Sequence, residues 1–201
     1  MNRRCIAAGV LVLAWAFEPT LSWADRPIPL LDALRNNNVV LSHTWQATED
    51  VALICAVTLP SHDAGPSDSK LVVYEGNRSV LSFTPRASPL SIFSTSELKP
   101  RLVTVWVSGS GAYLLFVYAY VAGKVTKVLE AGSKMFPEFV YPATSAGDYN
   151  QRIIVSSVDW VVDPASGESR QQPVTADIYV WDGKTYQVRR GVPWKDRLIQ
   201  Q

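Results

Sequence analysis

The feature that most constrains this chain is a succession of short β-rich runs separated by glycine, proline and aspartate. Val, Ile, Thr, Tyr and Trp gather in these runs, as is typical of half-buried strands. The runs cover residues 51–59, 71–75, 80–84, 102–108, 112–121, 125–130, 153–162, 176–182 and 186–190. The pattern predicts an all-β chain of antiparallel meanders, and only residues 27–38 suggest a helix, a short one with leucines on one face.

Short glycine turns join several of these runs. Residues 108–111 link two long runs, residues 122–124 link the next pair, and Asp182-Gly183-Lys184 closes the last. Glycine accepts a positive φ without steric cost, so these turns predict hairpins. The run at 113–121 has no polar break on either face beyond tyrosine hydroxyls, which predicts a central strand covered on both sides.

A loose internal repeat runs through the chain. Aromatic-rich runs followed by a glycine turn lie at 71–76, 115–123 and 177–183, and an apolar run precedes each of them, at 51–57, 102–107 and 153–158. Insertions rich in Pro, Gly, Ser or Asp lie at 61–69, 135–149 and 163–173. The repeat predicts either propeller-blade-like sheets or three hairpins of one β-sandwich, and the sequence does not choose between them.

Residues 147–155 and 176–188 resemble a blade of the FG-GAP/VCBS-type repeats of secreted bacterial proteins. Those repeats have an Asp/Gly-rich loop, a strand and a closing strand with Trp-Asp-Gly, and the likeness covers about the last third of the chain. The resemblance implies a β-propeller blade and a role in surface binding or scaffolding. The family's calcium loop carries several acidic side chains at alternate positions, whereas here only Asp148 and Asn150 stand there, so we predict no calcium site.

The N-terminal 24 residues have the three parts of a secretory signal peptide. Two arginines give a positive start, and residues 5–17 carry no charge. Ser22 and Ala24 then place small side chains at alternate positions, as signal peptidase requires. We therefore expect cleavage between Ala24 and Asp25.

The alternative to cleavage is an uncleaved membrane anchor. A spanning helix needs about 20 apolar residues, and this apolar run ends sooner, at Glu18-Pro19. Cleavage would leave residues 25–201 as a single β-rich domain, with no membrane span, in the periplasm or outside the cell.

The charge of the processed chain argues against nucleic acid and anionic lipid as partners, and its cysteine content argues against stabilisation by an internal disulfide. Loss of Arg3, Arg4 and Glu18 reduces the 19 basic and 18 acidic residues to 17 of each. Such a balance gives no basic footprint for nucleic acid and no attraction to anionic lipid. Cys55 is left as a lone thiol and cannot close an internal disulfide, so a hydrophobic core must hold the fold.

The sequence offers no catalytic or metal-binding constellation. Its two histidines, His43 and His62, are too few for a transition-metal site. A Cys55–His43 thiol pair is conceivable, but the apolar neighbours of Cys55 favour an inert buried thiol. We predict no enzyme activity, no metal and no cofactor.

Carboxylate pairs are the remaining catalytic candidates. Asp159 and Asp163 lie four residues apart on one strand face, about 13 Å by the rise of a strand. Paired glycosidase carboxylates stand about 5 to 9.5 Å apart, so this pair does not fit. An envelope hydrolase would need Asp159 or Glu138 in a closed cleft with a raised pKa.

Aromatic side chains are the one enriched residue type that suggests a function. Trp160, Trp181, Tyr186 and Trp194, with Tyr179, cluster near the C-terminus. Exposed Trp and Tyr form sugar-stacking or peptide-docking platforms, whereas buried ones pack cores and pair across strands. The basic tail at 189–197 either protects an edge strand or docks an acidic partner.

Three functions follow from these observations. The first is an exported binding or accessory protein with a protein or glycan partner in the cell envelope. The second is a structural subunit of an envelope assembly, and the third is a carboxylate-dependent envelope hydrolase. The empty catalytic inventory favours the first.

Mass spectrometry of the native product tests the predicted export signal. We expect an N-terminus at Asp25, because the peptidase cuts after the small residue that ends the signal. An intact chain beginning at Met1, recovered from the soluble cell interior, would contradict the prediction.

Overall fold

The structure, a computed structural model, describes residues 38–61, 63–96, 99–141 and 151–198. The described residues form twelve strands: β1 (Asn38–Gln46), β2 (Ala52–Leu59), β3 (Lys70–Glu75), β4 (Arg78–Phe83), β5 (Ser88–Ser94), β6 (Leu102–Val107), β7 (Tyr113–Val121), β8 (Lys124–Ser133), β9 (Glu138–Val140), β10 (Arg152–Val162), β11 (Ser169–Trp181) and β12 (Tyr186–Pro193). Two single-turn 3-10 helices lie at Pro66–Asp68 and Trp194–Asp196. The all-β prediction is confirmed.

The strands form three antiparallel sheets, each a meander of four consecutive strands. Sheet I contains β1 to β4, sheet II β5 to β8, and sheet III β9 to β12. The central pair of each sheet, β2–β3, β6–β7 and β10–β11, corresponds to one unit of the sequence repeat. The three units therefore belong to three separate sheets.

Three strands were missed by the sequence prediction, and two predicted insertions were partly wrong. β1 and β5 mix serine, asparagine or proline with their apolar residues, which weakens the β signal, and pairing with β2 and β6 decides their structure. β9 lies in the predicted insertion at 135–149, and the first residues of β11 lie in that at 163–173. The predicted N-terminal helix lies outside the described residues, except Asn38, which begins β1.

The turn between β7 and β8 shows how local sequence sets the hairpins. Ala122 has φ 49° and Gly123 has φ 78°. Two consecutive positive φ angles are typical of the type I′ turn, whose twist matches that of the flanking strands. The hairpin predicted at 122–124 is thereby confirmed. Among the described residues, no helix has the length and hydrophobicity needed to cross a membrane.

Sheet II is buried on both faces. Successive side chains of its strands point to opposite sides, one set towards sheet I and the other towards sheet III. Leu102, Trp106 and Phe116 face sheet I, where they pack against residues such as Trp45 and Leu53. The alternate residues face sheet III and form a second core, which contains Val103, Val105, Leu115, Val117, Ile153 and Val155. The prediction of a central strand at 113–121 is confirmed, since β7 contributes to both cores.

Directional contacts fix the order of the three sheets. The Trp45 Nε1–H donates to the Pro100 carbonyl at 2.8 Å, which ties sheet I to the loop between β5 and β6. The rings of Phe93 in sheet II and Phe139 in sheet III meet edge to face, with centroids 5.0 Å apart. These contacts add specificity to cores that are otherwise nondirectional.

Truncation of Leu115 tests the importance of the core between sheets II and III. We expect Leu115→Ala to lower the free energy of unfolding by about 2–5 kcal/mol, because the side chain is fully buried and leaves a cavity. Urea denaturation followed by circular dichroism measures the change. Val121→Ala is the control: its side chain is 54% exposed, and we expect a change within about 0.5 kcal/mol. Equal effects of the two substitutions would contradict the two-sided burial of sheet II.

Candidate functional site

β10 and β11 extend beyond the other strands of sheet III. β9 pairs with β10 only from Arg152 to Ile154, and β12 pairs with β11 no further than Thr175. Beyond these limits β10 and β11 pair with each other as far as Val162 and Ser169. Residues 157–174 therefore form a two-stranded projection, which we call the arm.

The sequence of the arm explains both of its ends. At the tip, the Asp163 Oδ1 accepts the backbone N–H of Ala165 at 2.8 Å, and Gly167 takes a φ of 74°. An aspartate at the first turn position and a glycine at positive φ are what a short hairpin loop needs. At the base, the register shifts between Ser157 and Val158, so Val174 forms a β-bulge, a feature that locally bends and twists a strand.

The arm exposes most of its apolar side chains. Trp160 is 68% exposed and Val162 57%, and Val161 and Val174 are also exposed. Scattered exposed valines are normal, but a contiguous exposed apolar row with a tryptophan at its centre marks an interaction site.

Alternation places Trp160 on one face with Val158 and Val162. The residues paired with Trp160 and Val158 across the arm, Gln171 and Pro173, lie on the same face. We call these five residues the platform. It combines an aromatic ring, aliphatic side chains and one amide.

Three of the other predicted aromatics face the interior. The rings of Trp181 and Tyr186 meet with centroids 5.1 Å apart, and the buried Arg101 guanidinium lies over both, 4.3 and 5.3 Å from their centroids. The Tyr186 hydroxyl donates to Gln151 Oε1 at 3.2 Å. Tyr179 packs into the core between sheets II and III. These side chains join the two sheets.

Sequence reasoning missed Arg101, because an arginine beside a proline in a polar stretch gives no sign that it is buried. Its burial depends on aromatic residues 80 positions away in sequence, which only the packing of sheet III on sheet II brings close. A charged group in this position is compatible with a core only when its surroundings are polar or aromatic.

Trp194 covers part of the outer face of sheet III. It packs against the cluster of Ile154, Ala176 and Ile178. Arg197 stacks on its ring, 4.0 Å from guanidinium carbon to centroid, and makes a two-point ion pair with Glu138 of β9, at 3.0 and 3.2 Å. The C-terminal segment thus crosses the sheet from β12 to β9, and Trp194 is half-buried in it.

The predicted aromatics do not form one surface. Trp181 and Tyr186 are in contact with each other but far from Trp160. Trp181 lies next to the partner of Arg152 in β10, and Arg152 is eight residues from Trp160, about 26 Å along the strand. Trp194 is occupied by its own contacts. Only Trp160 presents its ring to solvent.

The candidate thiol pair is present in the register but not in a reactive form. His43 and Cys55 are directly opposite each other in β1 and β2. The His43 Nε2 forms a hydrogen bond with the Ser94 Oγ at 2.9 Å, and burial lowers the pKa of His43. Cys55 is fully buried, which raises the pKa of its thiol and disfavours the nucleophilic thiolate. His62 lies outside the described residues.

The candidate carboxylates are also distributed singly. Asp159 is exposed on the arm, Asp163 caps the turn at its tip, and Glu138 is held by Arg197. In the portion of the chain that the structure covers, no three His, Cys, Asp or Glu side chains converge as ligands of a metal ion do.

No protein-family model, curated protein or solved structure matches this chain. Among the described residues, the surface with the clearest physical signature of a functional site is the platform of the arm.

Thiol labelling tests the buried state of Cys55. In the chain without residues 1–24, we expect no reaction with an aromatic disulfide reagent at pH 8 until urea unfolds the protein, because the raised pKa and the burial both withhold the thiolate. A Val121→Cys variant serves as the positive control and should react at once. Rapid labelling of the native chain would show that Cys55 is accessible.

Proposed function

We propose that this protein is an exported, non-catalytic binding protein that acts in the periplasm or outside the cell. Its partner is a protein or a glycan of the cell envelope, and the arm is the element that binds it. The observation that carries the proposal is the 68% exposure of Trp160 at the centre of an apolar row.

The energetics of the platform favour binding over simple exposure to water. Each Å² of apolar surface removed from water contributes about 25 cal/mol, and a tryptophan is among the largest such surfaces. Tryptophans are also enriched among the few residues that dominate binding energies. A partner that covers the platform would therefore gain most of its affinity at Trp160.

The backbone of the arm is already ordered before a partner binds. β10 and β11 are paired from base to tip, and the turn is closed by hydrogen bonds from the backbone N–H groups of Asp163 and Gly167. Ordering a flexible segment on binding costs free energy, and a preformed hairpin avoids most of that cost. This preorganisation supports a binding role for the arm.

Two further observations support the proposal. The N-terminal leader is typical of exported chains, and the resemblance of the last third to FG-GAP/VCBS-type blades points to surface binding in secreted proteins. The platform places the indole ring beside the Gln171 amide, a combination that suits either stacking on a sugar ring or contact with a peptide.

Quantitative capture tests the role of the platform. The native protein, Trp160→Ala and the control Val121→Ala are immobilised and exposed in parallel to solubilised envelope proteins and to purified envelope glycans. We expect Trp160→Ala to weaken binding by about 2 kcal/mol or more, roughly 30-fold, as truncation of a central tryptophan does. Val121→Ala removes an exposed apolar side chain at the end of β7, outside the arm, and should bind as the native protein does. Equal binding by all three proteins would exclude the platform.

A further inference from the structure

The backbone of β10 in the arm presents an open hydrogen-bonding edge. At its base, the Ser156 carbonyl accepts the Lys134 N–H at 2.9 Å and the Ser156 N–H donates to the Ser133 Oγ at 3.0 Å, so Ser156 faces away from β11. At the tip, the Asp163 N–H donates to the Glu168 carbonyl at 2.8 Å, so Asp163 faces the opposite way, towards β11. Backbone groups of an antiparallel strand alternate in direction, so those of Val158, Trp160 and Val162 point outward with Ser156.

The outer edge of β10 forms backbone hydrogen bonds with another described segment up to Ser156 and with none of the described strands beyond it. The chain from β8 to β9 pairs with β10 as far as Ser156, and no described strand pairs with that edge farther along. An added strand would continue pairing that the protein itself begins.

The two edges of the arm differ in their protection against such pairing. β11 carries Pro173, which lacks an N–H, the bulge at Val174 and the charge of Arg170, all of which discourage an additional strand. The corresponding stretch of β10 contains no proline, lysine or arginine and is rich in valine. This stretch of β10 carries one charge, that of Asp159, so its edge is the less protected of the two.

We propose that the occupant of this edge is a second copy of the chain, whose β10 pairs antiparallel with the first about a two-fold axis at Trp160. In this register Trp160 lies opposite Trp160, Val158 opposite Val162, and Asp159 opposite Val161. Around the axis, the outward groups of the three even-numbered residues form about six backbone hydrogen bonds. Aromatic and β-branched pairs of this kind stabilise sheets.

The placement of carboxylates selects this register over its two neighbours. A two-fold axis at Val161 would set Asp159 opposite Asp163 and would require a backbone N–H from Pro164, which has none. An axis at Asp159 would set two copies of that carboxylate face to face. Like charges directly opposite each other destabilise a sheet, and the axis at Trp160 is the one of the three that avoids them.

Edge pairing leaves the platform accessible. The two arms form one four-stranded sheet, in the order β11, β10, β10, β11, and the platform residues of both copies lie on the same face of it. The dimer therefore presents two tryptophans side by side, and a repetitive envelope partner would gain avidity from this arrangement. The inference goes beyond the proposed function and does not depend on it.

Molar mass in solution tests the dimer. Sedimentation equilibrium and light scattering should give the native protein about twice the mass of one chain at micromolar concentration. Trp160→Lys sets two lysines opposite each other at the axis and should yield the monomer. Gln171→Lys is the matched control, because Gln171 is directly across the arm from Trp160 on the same face but belongs to the outer strand of the proposed sheet. It should remain a dimer.

Val162→Pro separates the edge from the platform. The Val162 N–H points outward, so proline removes one hydrogen bond from each copy, two of the about six between the copies, and none within the arm. We expect a folded monomer by circular dichroism that retains Trp160 and still captures its partner with the affinity of one platform. A native protein that is monomeric at tens of micromolar, with or without a different partner on this edge, would overturn the dimer. So would a Val162→Pro variant that is folded and still dimeric. Neither result bears on the binding role, which depends on the capture experiment alone.

Discussion

The burial of sheet II on both faces is the constraint on which the rest of the structure depends. Leu102 and Trp106 point to sheet I, while Val103 and Val105 of the same strand point to sheet III. Because alternate residues of one strand must fill two different cores, a shift of one residue in pairing would exchange both sets at once. The register of sheet II thereby positions sheets I and III on either side of it. In sheet III, burial of the inner face leaves the outer face to be covered by another part of the chain, and Trp194 and Arg197 cover part of it.

The arm begins where sheet II no longer covers sheet III. Near Ile153 and Val155, β10 is buried because sheet II lies against it, whereas beyond Ser156 the strand continues with exposed side chains. The hydrophobic sequence continues beyond the last residue that another described strand covers, and most of the side chains from Asp159 to Val162 are exposed. A row centred on Trp160 is then the surface at which an outside partner gains the most by removing apolar area from water. Along the same extension no described strand pairs with the outer backbone edge of β10, so one feature of the fold creates both a side-chain surface and a hydrogen-bonding edge.

The polar side chains of the interior make contacts that stabilise the packing of the sheets. Arg101 is held between the rings of Trp181 and Tyr186, and the Trp106 Nε1–H donates to the Thr104 Oγ1 at 3.0 Å within the core. His43 and Cys55 lie opposite each other in β1 and β2, and burial of Cys55 raises the pKa of its thiol. These groups give specificity to the packing of three sheets that disulfides do not reinforce in the described residues, where Cys55 is a free cysteine.

The sequence by itself determined the class of fold, the central strands and the hairpins. Period-two alternation and turn chemistry act over a few residues, so runs such as 102–108 and turns such as Asp182-Gly183 could be read directly. The strands β1, β5 and β9 could not, because their structure comes from pairing with stronger neighbours. The fates of the C-terminal tryptophans were likewise decided by tertiary structure. Arg101, 80 positions earlier, stacks on Trp181, and Trp194 packs against Ile154 of sheet III, whereas Trp160 is 68% exposed. These differences depend on contacts with residues far away in the chain, which local sequence does not show.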